Sequence, residues 1–187
     1  MYSQYIDYLR TVLDERRFIH SLNVADECKK LALHYNYEFV EKAYLAGLLH
    51  DVCKNDSKEK MLQIFNQFDI ILDSVQKGQF KLWHSLAGSL FVQDKFGVTD
   101  SEIISAIKYH TTGKEDMSML EKILYLADFI SADRDYDGVD KIRKSAYVDL
   151  NKTLIECYKF SIIEVTQKGC PVHIDTVKGY NYLLTER

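Results

Sequence analysis

Apolar positions recur along the chain at intervals of three and four, and alternating β-branched runs are scarce, so the pattern predicts an almost wholly helical protein. Residues 3–14 and 16–35 read as two helices. The second carries His20, Val24, Cys28 and Leu31 on one face, at spacings of four, four and three. Residues 38–50 give a third helix, and a polar segment then predicts a helix at 58–67 with a short successor ending near Gly78. Further helices are expected at 82–96, at 100–110, where Thr99 and Glu102 read as a capping box, and after Ser118, where Glu121 repeats that signal. A long helix over 148–168 should stop at Gly169, ahead of Pro171, leaving a loop and one short helix in "CPVHIDTVKGYNYLLTER".

Composition narrows this picture. One proline and eight glycines in 187 residues suit an all-α class, and 47% hydrophobic content suits a single domain over residues 1–187 with a sizeable core. The formal net charge of -4, with no basic run, argues against a nucleic-acid polymer as partner. No window approaches the ~18 apolar residues that span a bilayer, and "MYSQYIDYLR" is not a signal peptide, so a cytoplasmic protein without membrane attachment is expected. The four cysteines, at 28, 53, 157 and 170, lack C-x-x-C spacing and read as free thiols.

The candidate chemistry lies on the apolar faces. His20, His84, His110 and Asp128 each share a face with apolar neighbours, and the stretch "AYLAGLLHDVCKND" ends its helix in the adjacent pair His50 and Asp51. A buried carboxylate without a partner costs several kcal/mol, so Asp51 and Asp128 need a cation, a basic side chain or protonation. His50 and Asp51 have Cα atoms only about 3.8 Å apart, close enough for both to reach one ion. A single inward histidine is more often a hydrogen-bonded core residue, but five helices each presenting an imidazole or carboxylate point to a metal site. His34, with Lys30 and Glu27 on its face, reads as a surface residue. "DRDYDG", residues 133–138, imitates the start of a calcium loop, yet Lys144 stands where the bidentate glutamate is required.

In their order, His20, the pair His50 and Asp51, His84, His110 and Asp128 resemble the HD-domain metal-dependent phosphohydrolases. "HSLNVADECKKLA", "WHSLAGSLFVQDKFGV", "HTTG", "LADFIS" and "HIDTVKGYN" resemble the YqeK-like symmetrical bis(5'-nucleosyl)-tetraphosphatases over residues 14–184. The resemblance implies a helical HD bundle with its motif core at about 16–146 and a C-terminal helix and nucleotide-side loop at 147–187. It also implies iron held by His20, His50, Asp51 and Asp128, and cleavage of diadenosine tetraphosphate into two ADP molecules. His84 and His110 would adjoin that ion, as ligands of a second one or as phosphate contacts. Asp51, Lys54, His84 and His110 are the implied catalytic set. The nucleotide would meet Arg17, His20, the stretch Asp51, Val52, Cys53 and Lys54, His84, His110, Thr111, Asp128 and Arg134, with Pro171, Val172, His173, Ile174, Asp175 and Thr176 near the nucleoside. The implied partner is a small nucleotide, and a homodimer is left open. Ser131 and Ala132 depart from the family's glutamate and proline just before Asp133 and Arg134. Competing readings are another HD enzyme acting on a deoxynucleoside triphosphate, a guanosine alarmone or a nucleotide monophosphate, a nucleotide or metal sensor without turnover, and a helical interaction module.

Overall fold

A computed structural model describes residues 2–185, and among these the regular structure is helical throughout. The helices are α1 (Ser3–Val12), α2 (Glu15–His34), α3 (Val40–Leu49), α4 (Lys58–Gln67), α5 (Ser74–Gly78) and α6 (Trp83–Phe96), followed by α7 (Ser101–Tyr109), α8 (Met119–Ile130), α9 (Val139–Ala146), α10 (Leu150–Gln167) and α11 (Ile174–Thr185). A 3-10 turn, Phe80–Leu82, leads into α6. The last positions of the expected C-terminal tail, 186 and 187, lie outside the described residues.

Helix boundaries follow their caps. The first helix stops at Val12 rather than at 14, because the Asp14 carboxylate accepts from the amide of Arg17 at 2.8 Å and so opens α2. The box expected at Thr99 is replaced by Asp100, which accepts from the amides of Glu102 and Ile103, while Ser118 and Glu121 do form the reciprocal box. α9 was not expected. It is only eight residues long, carries four charges, buries only Val139 and Ala146 within the helix, and begins after Gly138 at φ 90° in a stretch that reads as a loop. It occupies the second half of the calcium-loop imitation.

α2 and α3 are in close approach, because Gly47 of α3 faces α2 so tightly that a Cβ there would lie 2.8 Å from the Cα of Ala25. That approach puts His20 and His50 at one depth. α8 packs against α2, α3 and α7, and α7 against α3 and α6, so the middle of the bundle is bounded by α2, α3, α6, α7 and α8. Around it lies a core that includes Leu31, Leu48, Ile107, Leu124 and Tyr125, all fully or nearly fully buried. Full burial of each such aliphatic side chain contributes about 1.5–3 kcal/mol. Cys28, Cys53 and Cys157 belong to this core, and Cys170 is exposed beyond α10.

Candidate metal centre and nucleotide pocket

The five elements bring their polar residues to one point. His50 caps the C-terminal end of α3 and His110 that of α7, while His84 enters at the start of α6 and His20 and Asp128 lie within α2 and α8. All four imidazoles are nearly fully buried, as is Asp51, and Asp128 is 18% exposed. Two helix C-termini at the cluster add partial negative charge, which favours a cation.

Ring orientation is fixed from behind. Nδ1 of His50, His84 and His110 donates to the carbonyl three residues earlier, those of Gly47, Lys81 and Ile107, at 2.7, 2.8 and 2.7 Å. A carbonyl only accepts, so each Nδ1 carries the proton and each Nε2 presents a lone pair to the cluster. His20 is held instead by Asp133, whose Oδ2 lies 2.8 Å from Nδ1, and Asn23 steadies the other Asp133 oxygen at 3.1 Å.

Asp51 divides its oxygens between two groups. Oδ2 lies 3.4 Å from His50 Nε2 and 4.0 Å from His20 Nε2, and Asp128 Oδ1 completes that side at 2.9 Å from His20 and 3.9 Å from His50. Oδ1 lies 3.0 Å from His84 Nε2 and 3.5 Å from His110 Nε2. Those approaches lack hydrogen-bond angles, so Asp51 Oδ1 and His50 Nε2 are buried polar atoms without a hydrogen bond. Electron-pair donors that converge on one another with no proton between them need a cation. The residues therefore fit a divalent metal, with ligand atoms within 4.8 Å in two sets, His20, His50 and Asp128, and His50, Asp51 and His110.

Burial pushes the Asp51 carboxyl up, and the surrounding imidazoles of His50, His84 and His110 outweigh it, holding Asp51 well below the usual carboxylate range. Burial pushes Asp128 the same way, and the Arg134 guanidinium and His20 reverse it. Burial takes His84 down to about 4 despite the nearby Asp51 carboxylate, so its ring is neutral at pH 7.

The residues assigned to phosphate flank this cluster. Arg17 Nη1 donates to Asp51 Oδ2 at 2.7 Å, and Lys54 Nζ lies 3.0 Å from His84 Nε2 and 3.4 Å from Asp51 Oδ1. Arg134 pairs with Asp128 Oδ1, donates from Nε to the Asp128 carbonyl at 2.6 Å and stands 3.5 Å from His20 Nε2. Arg143 braces the Arg134 loop, donating to the carbonyls of Ile130, Ser131 and Arg134 at 3.0, 2.8 and 2.7 Å. Val52 and Cys53 lie in the core at 3% and 1% exposure, so any contact they make with a ligand falls to their backbone.

Thr111, next to His110, shares a 3.0 Å hydrogen bond with Ser85, and a 180 Å³ pocket opens beside them, lined in part by Asp73, Lys108, Thr112, His173 and Asp175. Asp73 lies 3.1 Å from His173 Nε2, and Thr176 donates to the Thr112 carbonyl at 2.9 Å, which ties the 171–176 stretch to the end of α7. Pro171 accepts from Gln79 through its carbonyl, and Ile174 is exposed. Sequence reasoning overlooked Asp73, Ser85 and Asp133 as site residues, since each meets its partner only through the fold. His34 is exposed, as expected.

A helical bundle that aims four imidazoles and two carboxylates at one buried point is a divalent-metal centre of the hydrolytic kind. Residues 17–133 match the HD domain family, and the chain belongs to it. It is 37% identical over 173 residues, 92% of each chain, to a Bacillus subtilis protein named bis(5'-nucleosyl)-tetraphosphatase, symmetrical. A Staphylococcus aureus protein of the same name is 39% identical over 175 residues, 91% of this chain and 89% of its own. A crystal structure from Clostridium acetobutylicum, described as a predicted HD superfamily hydrolase involved in NAD metabolism, superposes with a TM-score of 0.96 at 40% identity, covering 100% of this chain and 98% of that one.

Proposed function

We propose that this chain hydrolyses diadenosine tetraphosphate and related dinucleoside tetraphosphates symmetrically, releasing two nucleoside diphosphates. The observation that carries the reading is the Asp51 carboxylate divided between the two histidine groups, with Arg17, Lys54 and Arg134 around it. Relatives of like length that bear the symmetrical tetraphosphatase name support the choice of substrate.

His20, His50, Asp51 and Asp128 would hold the ion, with His84 and His110 as ligands to a second one or as phosphate contacts. Nitrogen and oxygen donors of this kind suit several divalent transition metals, and iron is our assignment from the motif resemblance. A bound divalent ion supplies Lewis acidity, bringing the attacking water's pKa toward neutrality and polarising a phosphoryl oxygen. The protein's own groups do the rest. A water acidified toward neutrality needs no separate general base, and His84, its Nδ1 tied to the Lys81 carbonyl, keeps its Nε2 lone pair for a ligand's role. Lys54, beside it, places a positive charge where the phosphate negative charge builds up, and Arg134 offers a planar fork for two phosphate oxygens. Water's oxygen bonds to one central phosphorus, that phosphorus parts from the bridging oxygen, and the other half leaves as a nucleoside diphosphate. The stretch from Pro171 to Thr176 and its pocket would seat the nucleoside. No helix of the described residues is long and apolar enough to cross a membrane, and we place the enzyme in the cytoplasm.

The test is product analysis on anaerobically purified protein. ADP as the sole product, with one solvent oxygen entering one of the two ADP molecules, is the expected result, and AMP together with ATP would overturn it. His50→Ala and Asp51→Ala should each lose most of the bound metal, and wild-type occupancy in both would remove the centre assigned here.

A further inference from the structure

The metal cluster has a second hollow for a neighbour, which shares no lining residue with the His173 pocket. A cavity of 310 Å³ opens beside Asp128, lined by Asp128, Phe129, Arg134, Tyr136, Phe160 and Glu164. The reaction outlined above uses none of its three aromatic rings. Phe129, Tyr136 and Phe160 are all half-buried, which for aromatic side chains on a bundle surface leaves large apolar faces in water. The rings form a braced wall. Tyr136 and Phe160 have centroids 4.9 Å apart at 40°, Phe129 and Phe160 meet edge-to-face at 6.2 Å, and the Tyr136 hydroxyl donates to the Phe129 carbonyl at 3.1 Å.

We propose that this aromatic cavity is the subsite for the second nucleoside of the substrate, the half that does not occupy the His173 pocket. The inference rests on the tetraphosphatase reading. Asp128 belongs to both the cavity and the metal cluster, so an occupant of the cavity borders the reacting phosphates. Arg134 stands between the two, where a phosphate chain would pass from one to the other. Glu164 lies exposed on the cavity's rim and pairs with Lys168, offering carboxylate oxygens to ribose hydroxyls or a base amino group. The two pockets therefore flank the centre, one reached past His84, His110 and Thr111, the other past Asp128 and Arg134. A substrate with two identical ends requires two such places, and stacking on an aromatic face accepts any base. The larger 630 Å³ hollow between α9 and α10, lined by residues such as Ser145, Lys152 and Glu156, has no link of this kind to the histidines.

Metal-loaded protein titrated with ADP by calorimetry should bind two ADP molecules per chain, and Phe160→Ala should bind one. The KM for diadenosine tetraphosphate should rise about tenfold in Phe160→Ala, whereas that for adenosine 5'-tetraphosphate, which has one nucleoside, should change less than about twofold. Phe160→Leu keeps most of the volume and loses the π face, so it should follow Phe160→Ala, and Phe160→Tyr should behave as wild type. Metal content and unfolding temperature, read on every variant, separate a lost subsite from a lost fold. Symmetrical cleavage with an unaltered KM in a folded, metal-loaded Phe160→Leu, or a single ADP on the wild type, would overturn the subsite alone. Absence of ADP among the wild-type products would instead remove the reading on which it stands.

Discussion

Asp133 Oδ2 lies 2.8 Å from His20 Nδ1 across 113 positions of sequence, and the same ring turns Nε2 toward Asp128 at 2.9 Å. A carboxylate behind a ligating imidazole fixes its tautomer and raises its basicity, and its loss typically weakens metal affinity by about 10–100-fold. Asp133→Ala should therefore bind metal about tenfold more weakly, in competition with a chelator of known affinity. An affinity equal to wild type would reduce Asp133 to a surface ion pair.

Arg134→Lys separates charge from shape. The guanidinium fork reaches both the Asp128 side chain and its carbonyl, a geometry that a lysine cannot copy. Metal content should be retained, and kcat/KM on the tetraphosphate should fall by a factor corresponding to roughly 1–3 kcal/mol of transition-state stabilisation. Unchanged kinetics in both Arg134→Lys and Arg134→Ala would shift phosphate binding to Arg17 and Lys54.

The turn after His110 is set by space as much as by bonding. Gly113 has φ 61° and donates its amide to the Tyr109 carbonyl at 2.7 Å, and a Cβ on it would collide with the Tyr158 hydroxyl. Gly113→Ala should cost roughly 2–4 kcal/mol, from left-handed strain and overpacking together. Adding Tyr158→Phe, which removes the colliding oxygen, should recover part of the loss in thermal unfolding. A Gly113→Ala variant as stable as wild type would show that the turn can shift at no cost.

Asp100 provides a pH signature remote from the metal. The Lys42 ammonium, 2.7 Å away, holds its carboxyl below the ordinary value of 3.8, with help from the capped amides and against partial burial. A carboxyl lowered by folding contributes fully above its unfolded pKa and loses that contribution as pH falls through the folded value. Asp100→Ala should be about 1 kcal/mol less stable than wild type at pH 7, the ordinary worth of an N-cap. The gap should close as urea titrations are repeated below pH 3.8 and wild-type Asp100 takes up its proton. A gap that persists in acid would mean that the aspartate contributes through packing.

Much of this architecture was legible because each ligand rides an apolar stripe. The pattern placed α4 at its observed bounds, set α2, α3, α6 and α7 within two residues and marked the start of α8 at Ser118, and His20, His50, His84, His110 and Asp128 lie on inward faces. α9 escaped because it is only eight residues long, four of them charged, and follows an acidic stretch that reads as a loop. Its consequence escaped too, since Arg143 on that helix shapes the Arg134 loop through carbonyls of residues 130, 131 and 134. Asp133 looked like one acidic residue among several in "DRDYDG", and only the fold reveals which of them faces an imidazole. The C-terminal segment read as a loop with a short helix, whereas α11 runs for twelve residues and holds the nucleoside-side stretch against Thr112.

The distribution of the cysteines makes the protein suited to site-specific labelling. Cys28, Cys53 and Cys157 are sealed in the core, where burial raises their thiols far above neutral pH and starves them of thiolate. Cys170 is exposed and directly precedes Pro171, at the edge of the stretch assigned to the nucleoside. A maleimide dye added to the unmodified chain would therefore attach at one place, and its emission would follow nucleotide arrival and departure in real time without any engineered residue.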